Sequence, residues 1–330
     1  MAKRTITAML GAALALLVTA PAEATLVYVK DAGDVNTRVW VARDDGSQAR
    51  KVGLGHSPRV SDDGRWIAWI KPGTPDQLMM RLADRSRKAR VVARSSFVGE
   101  FRFSPDSKSL GFVLSRRLFV YDIREREDVR VASGVIRGFS FSPDAASVVF
   151  GTAGRSDAVD APSDLYSVRL EDSARRRITR DRKSLNPLWG PTGIIHDRMR
   201  ARADDAPSYN LFEIQPDGGN LRRITRLRIP NLVSGLVPVE LSGAGNRLLA
   251  EFVGQDTGMG FRVNPMTGKS HVLDPEREFL GFDLTADGRT VLGHTGGPDP
   301  IARHNVVTMP YGGGEPEVLV RRASFPDWSL

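Results

Sequence analysis

The sequence predicts an all-β fold, a β-propeller of seven blades with four antiparallel strands each, closed by pairing of the N- and C-terminal strands. Three observations carry that expectation. The first is a recurring unit in which a short apolar strand runs into a Ser/Thr/Gly turn and reopens on another apolar strand. It reads RVSDDGRWIAWI from Arg59, RFSPDSKSLGFV from Arg102, SFSPDAASVVFG from Ser140, LWGPTGIIHD from Leu188, ELSGAGNRLLAEF from Glu240 and DLTADGRTVLGH from Asp283. The second is an independent series of seven hairpins with turn residues at their centres, running from VARDDGSQARKV to MPYGGGEPEVLV. The third is a seventh copy of the unit, DWSL from Asp327, which stops where its turn should be. The strand it lacks stands near the other end of the chain, as TLVYV from Thr25. A unit that cannot bury its own apolar face must stack on its neighbours. A unit divided between the two termini needs a ring to reunite it. Six blades are the alternative, should the divergent unit around 236–275 not form a blade of its own.

The second unit shows how each blade divides. Residues 99–103, 109–114, 118–123 and 129–132 are expected as strands a to d, each apolar in alternation and separated by Gly, Pro, Asp or Ser. Strand a recurs near residues 57, 98, 136, 184, 236, 278 and 324. Identical RRITR segments at 176–180 and 222–226 lie at the same blade position, and so do DAPSDLY from Asp160 and DAPSYNLF from Asp205.

Aligned strands a give two apolar columns. Val60, Phe103, Phe141, Trp189, Leu241, Leu284 and Trp328 stand just before the turn, and Pro58, Phe101, Phe139, Pro187, Val239, Phe282 and Pro326 two residues earlier. A separation of two puts both on one strand face, where they should pack between blades. Asp63, Asp106, Asp144 and Asp287 in the turns are expected to fold back on backbone N–H groups rather than serve as acids or metal ligands.

The first 24 residues read as a signal peptide: Lys3 and Arg4, an apolar run over 6–20, and Ala22-Glu23-Ala24 as a small-x-small cleavage site. Cleavage after Ala24 would leave residues 25–330 as a single propeller domain, periplasmic or secreted, with no stable membrane insertion. There are no cysteines, so the core must hold the fold without disulfides. The formal net charge is +8, and arginine outnumbers lysine 39 to 8. The basic residues are spread over every repeat, which argues for solvated strand edges rather than a nucleic-acid surface.

The SPDS and SPDA turns (104–107 and 142–145), with the apolar strands that follow, resemble the TolB-like, WD-repeat-like propeller repeats of bacterial envelope proteins. Pro326-Asp327-Trp328-Ser329 is similar to the innermost-strand signature of that family. The separate N-terminal domain of TolB has no counterpart here, and the turns GPTG (190–193), SGAG (242–245) and TADG (285–288) depart from the pattern. The resemblance implies a propeller fold far more than it implies an activity.

Function is sought in two places. Between the apolar columns, on the opposite strand face, lies a third: Arg59, Arg102, Ser140, Leu188, Glu240, Asp283 and Asp327. Strands a line the channel of a propeller. Arg59, Arg102, Glu240, Asp283 and Asp327 are therefore ligand candidates, able to orient a polar ligand or small cation. The competing reading is that Asp327 and Arg59 simply pair across a blade boundary, where buried charges need partners. The second place is the face carrying the long connections, 153–163, 200–208, 227–236 and 295–303, since insertions on one face of a repeat array often mark its binding face. Catalytic signatures are absent from the sequence: there is no G-x-S-x-G elbow, and the five histidines are scattered, with only His294 and His304 close together. No catalytic residue, metal ligand set or cofactor is assigned. The expectation is a monomeric, non-enzymatic binding or scaffold protein, engaging a protein, peptide or glycan partner of the cell envelope on the long-loop face. The alternative is a lyase or hydrolase acting on an acidic glycan at the central channel.

Overall fold

The computed structural model describes residues 24–30, 37–158, 161–200, 208–228, 233–254, 258–297 and 304–329. Residues 1–23, which hold most of the expected signal peptide, and the central parts of the long connections at 200–208, 227–236 and 295–303 lie outside these residues. The described residues form no helix. Their strands make five four-stranded antiparallel sheets and one eight-stranded sheet. The eight-stranded sheet consists of two four-strand sets, 184–223 and 233–272, joined by a single parallel bridge between Tyr209 and Gly235.

Ring closure is as the sequence predicts. Strand Ala323–Ser329 pairs antiparallel with Thr25–Lys30, with Thr25 opposite Ser329 and Leu26 opposite Trp328. Thr25–Lys30 in turn pairs with Arg38–Arg43, so the C-terminal strand completes the first sheet. The join is buried: Leu26, Tyr28, Trp328, Leu292 and Val306 share one apolar cluster that crosses to the preceding blade. Such closure removes the free edges that an open sheet would expose.

The turn after strand a shows why Ser or Thr leads it. Ser61, Ser104 and Ser142 each accept, through Oγ, the backbone N–H five residues on, all at 2.9 Å. The degenerate SGAG and TADG turns keep that bond, with Arg247 N–H donating to Ser242 at 3.2 Å and Thr290 N–H to Thr285 at 3.0 Å. GPTG lacks it and closes more tightly, by Gly190 N–H donating to the Gly193 carbonyl at 2.8 Å. The turn aspartates behave as expected: Asp63, Asp106, Asp144 and Asp287 each accept from the N–H two residues later and from the leading hydroxyl. The RRITR repeats also do one structural job twice. Thr179 Oγ1 accepts Leu165 N–H and donates to Asp164, and Thr225 Oγ1 accepts Leu211 N–H and donates to Asn210.

The arginine excess has a more specific role than solvated edges. Arg50 donates to the Ala83 carbonyl, Arg90 to Ile123, Arg176 to Asp217, Arg222 to Pro265 and Arg262 to Gly312. Each bond reaches from the outer part of one blade to a turn of the next. A guanidinium can also lie on an aromatic face while donating, as Arg90 does between Trp66 and Tyr121, 5.3 and 5.5 Å from the ring centroids. A compact ammonium does this less well.

One regularity was not predicted. Every strand a departs from plain alternation just before the third-column residue. Its pairing slips between His56 and Arg59, Val98 and Phe101, Ile136 and Phe139, Leu185 and Leu188, Pro238 and Glu240, and Gly281 and Asp283. Ala323–Ser329 slips likewise against Val27 and Val29. At four of these bulges a left-handed residue makes the turn: Ser57 (φ 51), Gly138 (φ 76), Asn186 (φ 41) and Phe325 (φ 50). A bulge bends the strand and re-aims the side chains that follow.

Candidate functional site

The charged column starts from those bulged strands. Asp327 sits at the middle of the closing strand, and its carboxylate reaches the next blade, where Arg59 Nη1 donates to Oδ1 at 2.9 Å and Val60 N–H to Oδ2 at 2.7 Å. Asp283 repeats the move one blade earlier, accepting Trp328 N–H on Oδ2 at 3.3 Å and its own neighbour Leu284 N–H on Oδ1 at 2.8 Å. Ser140 does the same with a hydroxyl, accepting Trp189 N–H at 2.8 Å. Three members of the third column thus bond the backbone of the residue that ends strand a in the following blade. The sequence-level alternative, a pairing of Asp327 with Arg59 across a blade boundary, is what the structure contains.

Glu240 and Arg102 are less committed. Among the described residues Glu240 Oε1 accepts only the N–H of its neighbour Leu241, at 3.0 Å. Arg102 Nη2 pairs with Glu100 Oε1 at 2.8 Å, a partner the sequence reading missed because strand alternation alone does not single out Glu100.

The five candidates feel one another through space. Burial raises the Glu240 carboxyl above its ordinary range and the negative Asp327 adds to this, while Arg102 and Arg59 oppose it. Asp283 is raised well above its ordinary value, first by burial and then by Asp327 and Glu240. Asp327 is raised by burial against the pull of Arg59. Burial also works against the Arg59 charge, but Asp327, Asp283 and Glu100 outweigh it and hold the guanidinium pKa above its ordinary value. Three acids and two arginines therefore form one electrostatic unit at the inner strands.

His294 and His304 also come together, though not as ligands to a shared ion. Their rings stack, 4.4 Å between centroids and 18° between planes, so their lone pairs run side by side rather than converging. Phe282 and Phe325 pack against His294 at 4.9 and 5.4 Å. Among the described residues neither nitrogen of His294 has a hydrogen-bond partner, and burial, followed by the neighbouring His304, pushes its pKa down to about 3. His304 Nδ1–H donates to the Thr295 carbonyl at 2.9 Å. His196 is likewise buried, its pKa down to about 4 through desolvation, which outweighs the opposing bond with the Ile194 backbone. Beside it in the strand, the Asp197 carboxyl is pushed up to about 7 by burial, against a bond from Asn186 at 3.1 Å. Among the described residues no group of three or more His, Asp or Glu side chains is placed to hold a metal. Among the same residues no helix is long and apolar enough to cross a membrane.

These sheets, strapped at the termini and lined by charged inner strands, define a β-propeller. The fold is that of TolB-like propellers. The chain is similar to TolB from Acinetobacter baumannii, at 15% identity over 92% of this chain and 82% of that one, with a TM-score of 0.55. It is similar to the β-propeller domain of the Trilobed protease from Pyrococcus furiosus, at 12% identity over 90% of this chain and 92% of that one, with a TM-score of 0.66. An oligogalacturonate lyase in complex with manganese shares the architecture at 16% identity, over 80% of this chain and 76% of that one, with a TM-score of 0.58. No family model and no curated protein matches the sequence. At these identities the likeness establishes the fold, which binding proteins and enzymes share.

Proposed function

We propose that this chain is an exported, seven-bladed binding propeller without catalytic activity, engaging a protein, peptide or glycan partner of the cell envelope on the face that carries its long connections. One observation carries this reading. The acids best placed for chemistry at the channel, Asp327 and Asp283, spend their oxygens on backbone N–H groups and on Arg59, and so hold blades together. A general acid or nucleophile needs its reactive atom free to meet substrate. In this reading residues 1–24 direct export and are removed after Ala24. The two halves of the eight-stranded sheet count as separate blades, and residues 25–330 act as one monomeric domain.

A second reading keeps the channel as a ligand or catalytic site for an acidic glycan. Glu240 favours it, because among the described residues its only hydrogen bond is to the adjacent backbone. The two readings separate in a pull-down from envelope extract. Shortening 200–208 and 227–236 should abolish partner capture and leave the melting temperature unchanged, since surface loops carry recognition while blades carry the core. Capture that survives loop shortening but is lost in Glu240→Gln would overturn the first reading in favour of the second.

A further inference from the structure

A cleft of about 510 Å³ opens on the face of the short turns, opposite the long connections, where the 233–272 blade meets the next. Arg247, Arg262, Asn264, Lys269, His271 and Tyr311 line it, and no acidic residue does. The basic side chains come from separate parts of the chain. Arg247 follows the SGAG turn, Arg262 lies on strand Gly258–Val263, and Lys269 and His271 flank the hairpin that returns from it. Tyr311 reaches in from the Tyr-Gly-Gly-Gly turn of the neighbouring blade, which composition alone marks only as turn material.

Two guanidinium groups are fixed in advance. Arg247 donates through Nη1 to the Gly288 carbonyl at 2.9 Å and lies over the Tyr311 ring, 5.6 Å from its centroid. Arg262 donates through Nη1 to the carbonyls of Gly312 and Tyr311. Tyr311 is itself anchored, its hydroxyl sharing one proton between the Val263 and Leu248 carbonyls at 2.7 and 3.1 Å and accepting the Leu248 N–H at 3.2 Å. Each arginine thus uses one nitrogen to hold its place and keeps the others for a further acceptor. Among the described residues none of Arg247, Arg262 and Lys269 has an ion-pair partner. Asp287, the acid that senses Arg247, is spent inside its own turn on Thr285 and the Arg289 N–H. Lys269 and His271 are exposed and free to swing towards a ligand.

We infer that this cleft is an anion site for a phosphate or phosphomonoester group. Two preset guanidinium forks, an ammonium and an imidazole line one cleft. A tetrahedral dianion offers oxygens to all of them, whereas a carboxylate is saturated by one fork. The carbonyl anchors reduce the ordering that binding must impose. The group can arrive free or as a lipid headgroup, and the experiment distinguishes the two.

Inorganic phosphate is titrated calorimetrically, at low ionic strength, into the full chain and three variants: Lys269→Ala/His271→Ala, Arg262→Lys, and Arg87→Ala/Lys88→Ala on an equivalent hairpin of another blade. Saturable binding is expected in the wild type. It should weaken about tenfold or more in the first two variants, since each removes a charge-assisted bond, and stay unchanged in the third. Co-sedimentation with phosphatidylcholine vesicles with and without phosphatidic acid supplies the other arm. Pelleting that depends on phosphatidic acid and on Lys269 and His271 identifies a headgroup, while phosphate binding without pelleting identifies the free anion. The inference is overturned if neither ligand binds saturably, or if the Arg87/Lys88 variant loses as much affinity as the cleft variants. Arg262→Lys keeps the charge and loses the fork, so its loss relative to wild type reports geometry rather than folding, provided its melting curve matches.

Discussion

Asp327 and Arg59 meet across the closing boundary of the ring, Nη1 to Oδ1 at 2.9 Å, while the other carboxylate oxygen holds the Val60 N–H at 2.7 Å. The residues are far apart in sequence and are neighbours only because the C-terminal strand completes the first sheet. The pair ties the start of the second blade to the C-terminal strand, which pairing rather than a covalent link holds in the first sheet.

Substituting Asp327 should therefore loosen the ring. Asp327→Ala leaves the Val60 N–H and a half-buried guanidinium without their acceptor, and a loss of about 2–3 kcal/mol is expected. Arg59→Ala keeps the backbone bond and should cost no more than about 1 kcal/mol, because much of that side chain is open to water. Urea denaturation of both variants measures the difference. Equal losses would mean that the backbone bond contributes nothing.

Truncation tests the closure directly. Removing residues 324–330 exposes the edge of Thr25–Lys30 and uncovers Leu26 and Tyr28, both fully buried against Trp328 and its neighbours. The cost should be about 5 kcal/mol or more, most of a typical stability margin. A truncated chain that melted within a couple of degrees of the intact one would show that the strap is dispensable.

The buried histidines should lower stability as pH falls, against the buried acids Asp62, Asp197, Glu240, Glu251, Asp283 and Asp327, whose raised pKa values act the other way. His294 and His196 have pKa values of about 3 and about 4 in the folded chain, well below the ordinary 6.5, both through desolvation first. Between the ordinary and the folded values the unfolded chain takes up protons that the folded chain refuses. Stability is therefore full above about 6.5 and falls as pH drops towards the folded values. Asp197 acts in the opposite sense. Its carboxyl, raised by burial to about 7, favours the folded state below the ordinary 3.8 and loses that contribution as pH rises towards 7. Melting curves across this range should show His294→Leu flattening the acid limb and Asp197→Asn steepening it, because the opposing contribution of the carboxyl is removed. An unchanged acid limb in His294→Leu would show that this histidine is not its source.

The inter-blade arginines predict that lysine is a poor substitute. Arg222 donates to both Glu213 and the Pro265 carbonyl, which an ammonium on a shorter reach cannot serve together. Arg222→Lys should cost about 1 kcal/mol, whereas Arg124→Lys, on an exposed turn, should be neutral within error. Paired denaturation curves decide the point.

The architecture was legible in the sequence because it depends on features that repeat along the chain. The Ser/Thr turn, the apolar columns and the split seventh unit each recur wherever a blade must stack on the next, and the pairing of Thr25–Lys30 with Ala323–Ser329 followed from them. The third column was legible as a set of positions but not as a set of contacts. Periodicity places Asp327 and Arg59 on inner strands, but which oxygen meets which N–H depends on the bulge before each column residue. Those bulges turn on left-handed residues such as Ser57 and Phe325, types that carry no special preference for that conformation. The stacking of His294 on His304 and the anchoring of Arg247 and Arg262 against Tyr311 and its turn are also invisible to a linear reading. Sequence spacing records which strands adjoin, whereas burial, ring orientation and the acceptor a guanidinium finds are set by how two blades pack, and only the tertiary structure fixes that.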